Sequence, residues 1–130
     1  MNTEETYFLT MEDIVDLHAD LIVHFGGLHG IRDQGLLESA AAQPQMQVFG
    51  KVLHPTLFDQ AAAYLYHLTC NHAFQDGNKR IGLHACLTFL EMNGAIVSKD
   101  QEPWYQFTLS VANGSETKQS CLNFIREHCV

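Results

Sequence analysis

Apolar residues recur along this chain at helical rather than strand spacing. Met11, Ile14, Val15, His18, Leu21, Ile22 and Phe25 fall at i, i+3, i+4 and i+7 intervals and predict a helix with one inward face. Thr10 stands before them as a cap, with acids in the first turn, and Gly26-Gly27 ends the run. Asp33 caps a second predicted helix carrying Leu36, Leu37, Ala40 and Ala41, which must stop before Pro44. Phe58, Ala61, Ala62, Leu65 and Leu68 mark a third. Ile81, Ala85, Thr88, Phe89 and Met92 mark a fourth, capped by Asp76 or Asn78 and closed by Asn93-Gly94. Pro103 suits the first turn of a fifth helix with Trp104, Phe107 and Val111. Ser115 reads as the cap of a last helix with Lys118, Cys121, Leu122 and Ile125.

Two stretches lack the helical period. Residues 44–56 alternate imperfectly around Gly50, which predicts a short hairpin or flap over about 45–51. Residues 95–98 predict a strand-like stub. The pattern as a whole predicts an all-α fold, a compact bundle of about six helices with a short β-hairpin flap, spanning residues 1–130 as a single domain.

Charge narrows the range of functions. Seven Lys and Arg stand against fifteen Asp and Glu, a net charge of −8. That argues against direct nucleic-acid binding, which relies on clustered cations. Lys79 and Arg80 are the only adjacent basic residues. The longest uncharged stretch, 60–75, is polar in part and shorter than the ~18 apolar residues of a membrane span. The acidic start has no signal-peptide pattern, so the expected compartment is the cytoplasm, with no membrane partner. There the four cysteines are expected as free thiols.

The chemistry concentrates in His72-Ala73-Phe74-Gln75-Asp76-Gly77-Asn78-Lys79-Arg80. A loop that runs into a helix N-terminus offers free amide groups and the positive end of the dipole, which together make an anion site. Cations in that first turn oppose the dipole unless an anion arrives. Asp76 offers a hard oxygen for Mg²⁺, Asn78 a donor to a phosphate oxygen, and His72 a general base. The plainer alternative is a solvated turn between two helices.

The order of these residues resembles the central motif of the Fic/Doc superfamily, HPFxxGNGR in general form and HxFxDxNKR in the Doc (death-on-curing) branch. Residues 30–40 (GIRDQGLLESA) and 89–94 (FLEMNG) are similar to Doc-like segments before and after the motif. The resemblance implies a bacterial toxin that transfers phosphate from ATP to a protein hydroxyl. It implies His72 as the base, assisted catalytically by Lys79 and Arg80. Phe74 is the buried anchor of the nucleotide-binding loop and Asp76 the Mg²⁺ ligand. Gly77, Asn78, Lys79 and Arg80 then form the nucleotide cradle, with ATP and Mg²⁺ as cofactors. Lys79 where Fic enzymes have Gly, and Leu83 where their second Arg falls, favour phosphate transfer over the alternative of AMP transfer. Ala73 replaces the motif's Pro without expected consequence.

By the same resemblance the flap would dock a target segment by strand addition, with Phe49 and Lys51 as contacts; alternatively Phe49 tucks into the core. Ser98 and Glu102 have the spacing of a self-inhibitory motif, but Pro103 follows, so the implied inhibitor is a separate antitoxin. The implied target is of translation-factor class, elongation factor Tu being the family's best-known one. Two other readings compete. A zinc site could use His67, Cys70 and His72, although no fourth ligand has diagnostic spacing. A catalytically silent interaction module could keep the fold. His18, His24, His29, His54 and His128 are expected at the surface or as satisfied, partly buried groups.

Overall fold

The computed structural model describes residues 5–130; the first four residues of the acidic start lie outside them. Six α-helices follow one another among the described residues: α1 (Met11–Phe25), α2 (Gln34–Ala42), α3 (Leu57–Cys70), α4 (Asn78–Met92), α5 (Glu102–Ala112) and α6 (Lys118–His128). A 3-10 turn, Gln43–Gln45, follows α2 because Pro44 cannot continue an α-helix. Strands β1 (Gln47–Val48) and β2 (Lys51–Val52) then form an antiparallel hairpin. The all-α expectation with one flap therefore holds.

The start signals at Thr10 and Asp33 act as written, and Thr56, which was not expected as a cap, adds another. Thr10 caps α1 and Thr56 caps α3, each closing a reciprocal box with an Asp three residues on. Asp33 caps α2 through Leu36 N. α6 starts later than expected: Thr117, not Ser115, is its cap, because Thr117 has the extended backbone and accepts from Ser120 N. Ser115 instead donates to the Asn113 side chain in the preceding turn. The 95–98 stub pairs with the chain's end, Val97 bridging to Cys129.

α3 and α4 form the centre, with α1 and α2 on one side and α5 and α6 on the other. They approach closely at Gly82, where any Cβ would collide with the Thr69 hydroxyl. Trp104 of α5 is fully buried and meets Phe124 of α6 edge-on at 5.1 Å. Tyr64 of α3 accepts from Leu9 N at 2.9 Å and so ties the leading segment to the core. All four cysteines are free, and Cys86 and Cys121 pack as core residues.

Two inward assignments fail, and so does the core alternative for Phe49. Met92 is exposed in the last turn of α4, and Phe25 is half exposed at the end of α1. Phe49 does not tuck into the core: it stands fully exposed at the hairpin tip. Phe49 and Gly50 both have positive φ, 52° and 79°, the pattern a two-residue turn needs to match strand twist. No described helix is long and apolar enough to cross a membrane.

Candidate functional site

The motif loop leaves α3 through a left-handed residue. His72 has φ 52°, a conformation that is uncommon outside glycine and marks strained sites. It follows Asn71, the C-cap of α3, and is held by the Arg32 side chain, whose Nε donates to the His72 carbonyl at 2.7 Å. The α1–α2 connection braces the rest of the loop. Arg32 N and Asp33 N both donate to the Ala73 carbonyl, and Gln75 N donates to the Gly30 carbonyl. Asn71 donates from Nδ2 to the Leu36 carbonyl. Residues 30–36 thus act as a backbone splint for residues 71–75.

Phe74 is buried, as an anchor should be, and lies outside the cleft lining. His18 stacks on it at 3.8 Å with rings 10° from parallel. His18 Nε2 lies 2.7 Å from the Asp76 carbonyl. A carbonyl only accepts, so Nε2 must carry the proton. Burial pushes the His18 pKa below the ordinary 6.5, which keeps the ring neutral in this role. His18 is therefore part of the loop's foundation rather than a peripheral group.

Neither Asp76 nor Asn78 caps α4, contrary to the sequence expectation. Gly77 occupies the cap position with φ 76° and without a side-chain cap. A Cβ there would lie 3.1 Å from Ile22 Cδ1 and 3.3 Å from His18 Nε2, so both backbone and space require glycine. Asn78 turns back on the loop: Oδ1 accepts from Phe74 N and Nδ2 donates to Phe74 O, each at 3.1 Å. These bonds use one N–H and one lone pair of the amide for loop shape, and the second Nδ2 hydrogen stays available where Asn78 lines the cleft. Asp76 accepts from Gly77 N through Oδ1 at 2.9 Å and from Leu28 N through Oδ2 at 3.2 Å. Its carboxylate is exposed and held in place, with lone pairs to spare for a hard cation.

These residues meet in an open cleft of about 500 Å³, within the range of ligand pockets. His72, Asp76, Gly77, Asn78, Lys79 and Arg80 all line it. The far wall is Phe25 and Gly26 from the end of α1, and Tyr105 and Ala112 from α5. The start of α4 lies in this wall without a side-chain cap, whereas α1, α2, α3 and α6 are each capped. At the positive end of the α4 dipole the Asp76 carboxylate meets only Gly77 N, and Lys79 and Arg80 add further positive charge. Leu83, one turn on, is buried in the core. Phe49 and Lys51 are exposed on the hairpin and are not part of the cleft lining.

Sequence reasoning missed Phe25, Tyr105, His18 and Arg32 as site residues. His18 left one trace, a polar ring on the apolar face of α1, and Arg32 lay inside a segment already noted. Phe25 and Tyr105 gave no signal beyond ordinary helical spacing. Among the described residues no group of three or more His, Cys, Asp or Glu side chains is arranged to hold a metal ion.

Fold and cleft together define a small helical protein in which a left-handed histidine leads through a short loop into a cationic, uncapped helix start. A family model described as Fic/DOC family matches residues 8–90. Over 95 residues the chain is 43% identical to a protein named Toxin Doc from Mycolicibacterium smegmatis, covering 73% of this chain and 71% of that one. Over 118 residues it is 31% identical to Protein kinase doc of Escherichia phage P1, covering 91% and 92%. The chain belongs to the Fic/DOC family, on its Doc branch.

Proposed function

We propose that this chain is the toxin of a toxin–antitoxin pair and a protein-modifying enzyme, which transfers the γ-phosphate of ATP to a Ser or Thr hydroxyl of a target protein of translation-factor class. One observation carries the reading: His72, Asp76, Lys79 and Arg80 share a single cleft at the bare N-terminus of α4. The names of the two relatives, a toxin and a protein kinase, support it.

His72 takes the proton from the target hydroxyl, whose oxygen attacks the γ-phosphorus while the bond to the β-phosphate oxygen breaks and ADP departs. Phosphoryl transfer asks for positioning and charge neutralisation more than covalent help. Lys79, Arg80 and the α4 amides supply fixed positive potential for the phosphates. Asp76 would hold Mg²⁺, which adds charge neutralisation between the phosphates. His18, Arg32 and Asn78 keep the loop in shape and make no contact with the reacting atoms in this account.

Two observations favour phosphate over AMP transfer. Lys79 projects a long cation into the cleft where Fic enzymes have glycine, and Leu83 is committed to the core. The hairpin serves as the docking strand for the target, with Phe49 and Lys51 exposed for contact. Inhibition falls to a separate antitoxin, since Glu102 is exposed and accepts from Gln106 at 2.7 Å within its own helix. The test incubates the full chain and a bacterial lysate with γ-labelled or α-labelled ATP. A band labelled only from γ, and lost with His72→Ala, is the expected result. Labelling only from α would replace the reaction with AMP transfer, and none from either would leave a silent interaction module.

A further inference from the structure

Arg80 is held in an unusual way for a surface arginine. Its guanidinium carbon lies 4.0 Å from the ring centroid of Phe25 and 4.2 Å from that of Tyr105. The two rings come from α1 and α5, so three helices meet through one side chain. No acceptor among the described residues hydrogen-bonds to the guanidinium. Among the described residues no carboxylate forms an ion pair with it, and its charge, after burial, helps depress the pKa of nearby His84. Phe25 remains half exposed while Ile14, His18, Leu21 and Ile22 bury the inward face of α1. Its position is therefore not explained by core packing.

Guanidinium groups stack on aromatic faces and keep their N–H donors in the plane of the fork. A guanidinium held against two rings keeps its N–H edge for hydrogen bonding. Fixing the plane before a ligand arrives also removes part of the ordering cost that a flexible arginine would incur on binding. We propose that Phe25 and Tyr105 are positioning residues that clamp Arg80 and aim its N–H edge at the phosphate groups of a nucleotide in the cleft. This rests on the nucleotide reading above and adds to it the rings that orient the phosphate-binding arginine.

The test measures binding of Mg-ATP, inorganic tripolyphosphate and adenosine to the full chain by calorimetry, with melting temperature as a check on folding. Phe25→Leu and Tyr105→Leu should each weaken ATP and tripolyphosphate roughly three- to tenfold and leave adenosine unchanged. Phe25→Tyr and Tyr105→Phe should restore affinity. In an Arg80→Gln background, Phe25→Leu should have no further effect. Weakened adenosine with unchanged tripolyphosphate would overturn the proposal, because the rings would then stack on the base. Unchanged affinities, or an equal loss in the Arg80→Gln background, would also overturn it. A second readout needs no nucleotide: the Arg80 Hε proton should show an upfield ring-current shift that Phe25→Leu removes, and its absence would refute the clamp. A shifted Hε in a protein that binds no phosphate ligand would instead reject the nucleotide reading while keeping the clamp.

Discussion

His72 unites geometry and chemistry more closely than any other residue of the site. It follows the C-cap of α3 in a left-handed conformation, is exposed, and lines the cleft. Its side chain carries no packing load, so His72→Ala should leave the melting temperature nearly unchanged while transfer falls by about 10²–10⁴, the usual contribution of a general base. Gly77 behaves in the opposite way. Gly77→Ala forces a Cβ into positive φ against Ile22 and His18, and should destabilise the fold by about 1–2 kcal/mol, read by denaturant unfolding, while also displacing the loop and reducing nucleotide affinity. The motif residues were legible in the sequence because their chemistry is written in linear order. Asn78 was legible by position, but its bonds to the Phe74 backbone, which shape the loop, were not. His18 could not be assigned from the sequence, because its partner Asp76 lies 58 positions away and only the folded chain brings them together.

At the scale of elements, capping explains which boundaries the sequence exposes. Thr10 and Asp33 cap as their positions suggest and Thr56 caps α3 unannounced, whereas Ser115 and Thr117 are both plausible caps and backbone conformation decides for Thr117. The uncapped start of α4 looked like a capped one, because Asp76 and Asn78 are cap-type residues diverted to other bonds. The hairpin was legible in outline from Gly50, but the orientation of Phe49 was not, since an apolar side chain in a two-residue turn has no core to reach. Phe49→Gly tests what that exposure is for. It removes a left-handed phenylalanine but adds freedom to the unfolded chain, two effects that nearly cancel, within about 1 kcal/mol. Unfolding should therefore change little, and ATP affinity not at all. Labelling of the target should fall at least tenfold, as expected for the loss of one buried aromatic contact in a docked complex. Equal labelling by Phe49→Gly and wild type would place target recognition elsewhere.

Across the whole molecule, the net charge of −8 coexists with one cationic junction at Lys79 and Arg80. The histidines give the fold a shared pH dependence. Burial lowers the pKa of His18, His54 and His84, and pushes His67 down to about 4, with Lys118 and His54 adding to the effect. Each binds a proton more readily unfolded than folded, so protonation favours the unfolded chain. Stability should be complete above the unfolded value of 6.5 and fall as pH drops through the window toward 4. Melting temperature followed across that range should decline, and His67→Gln should flatten the lower part of the curve. The central claim is phosphate transfer by His72 chemistry, and mass spectrometry of modified peptides tests it most directly. A bacterial lysate treated with the full chain and Mg-ATP should yield a Ser or Thr peptide heavier by one HPO₃ group, absent when His72→Ala protein is used. A peptide carrying AMP instead, or a phosphopeptide that persists with His72→Ala, would contradict the account.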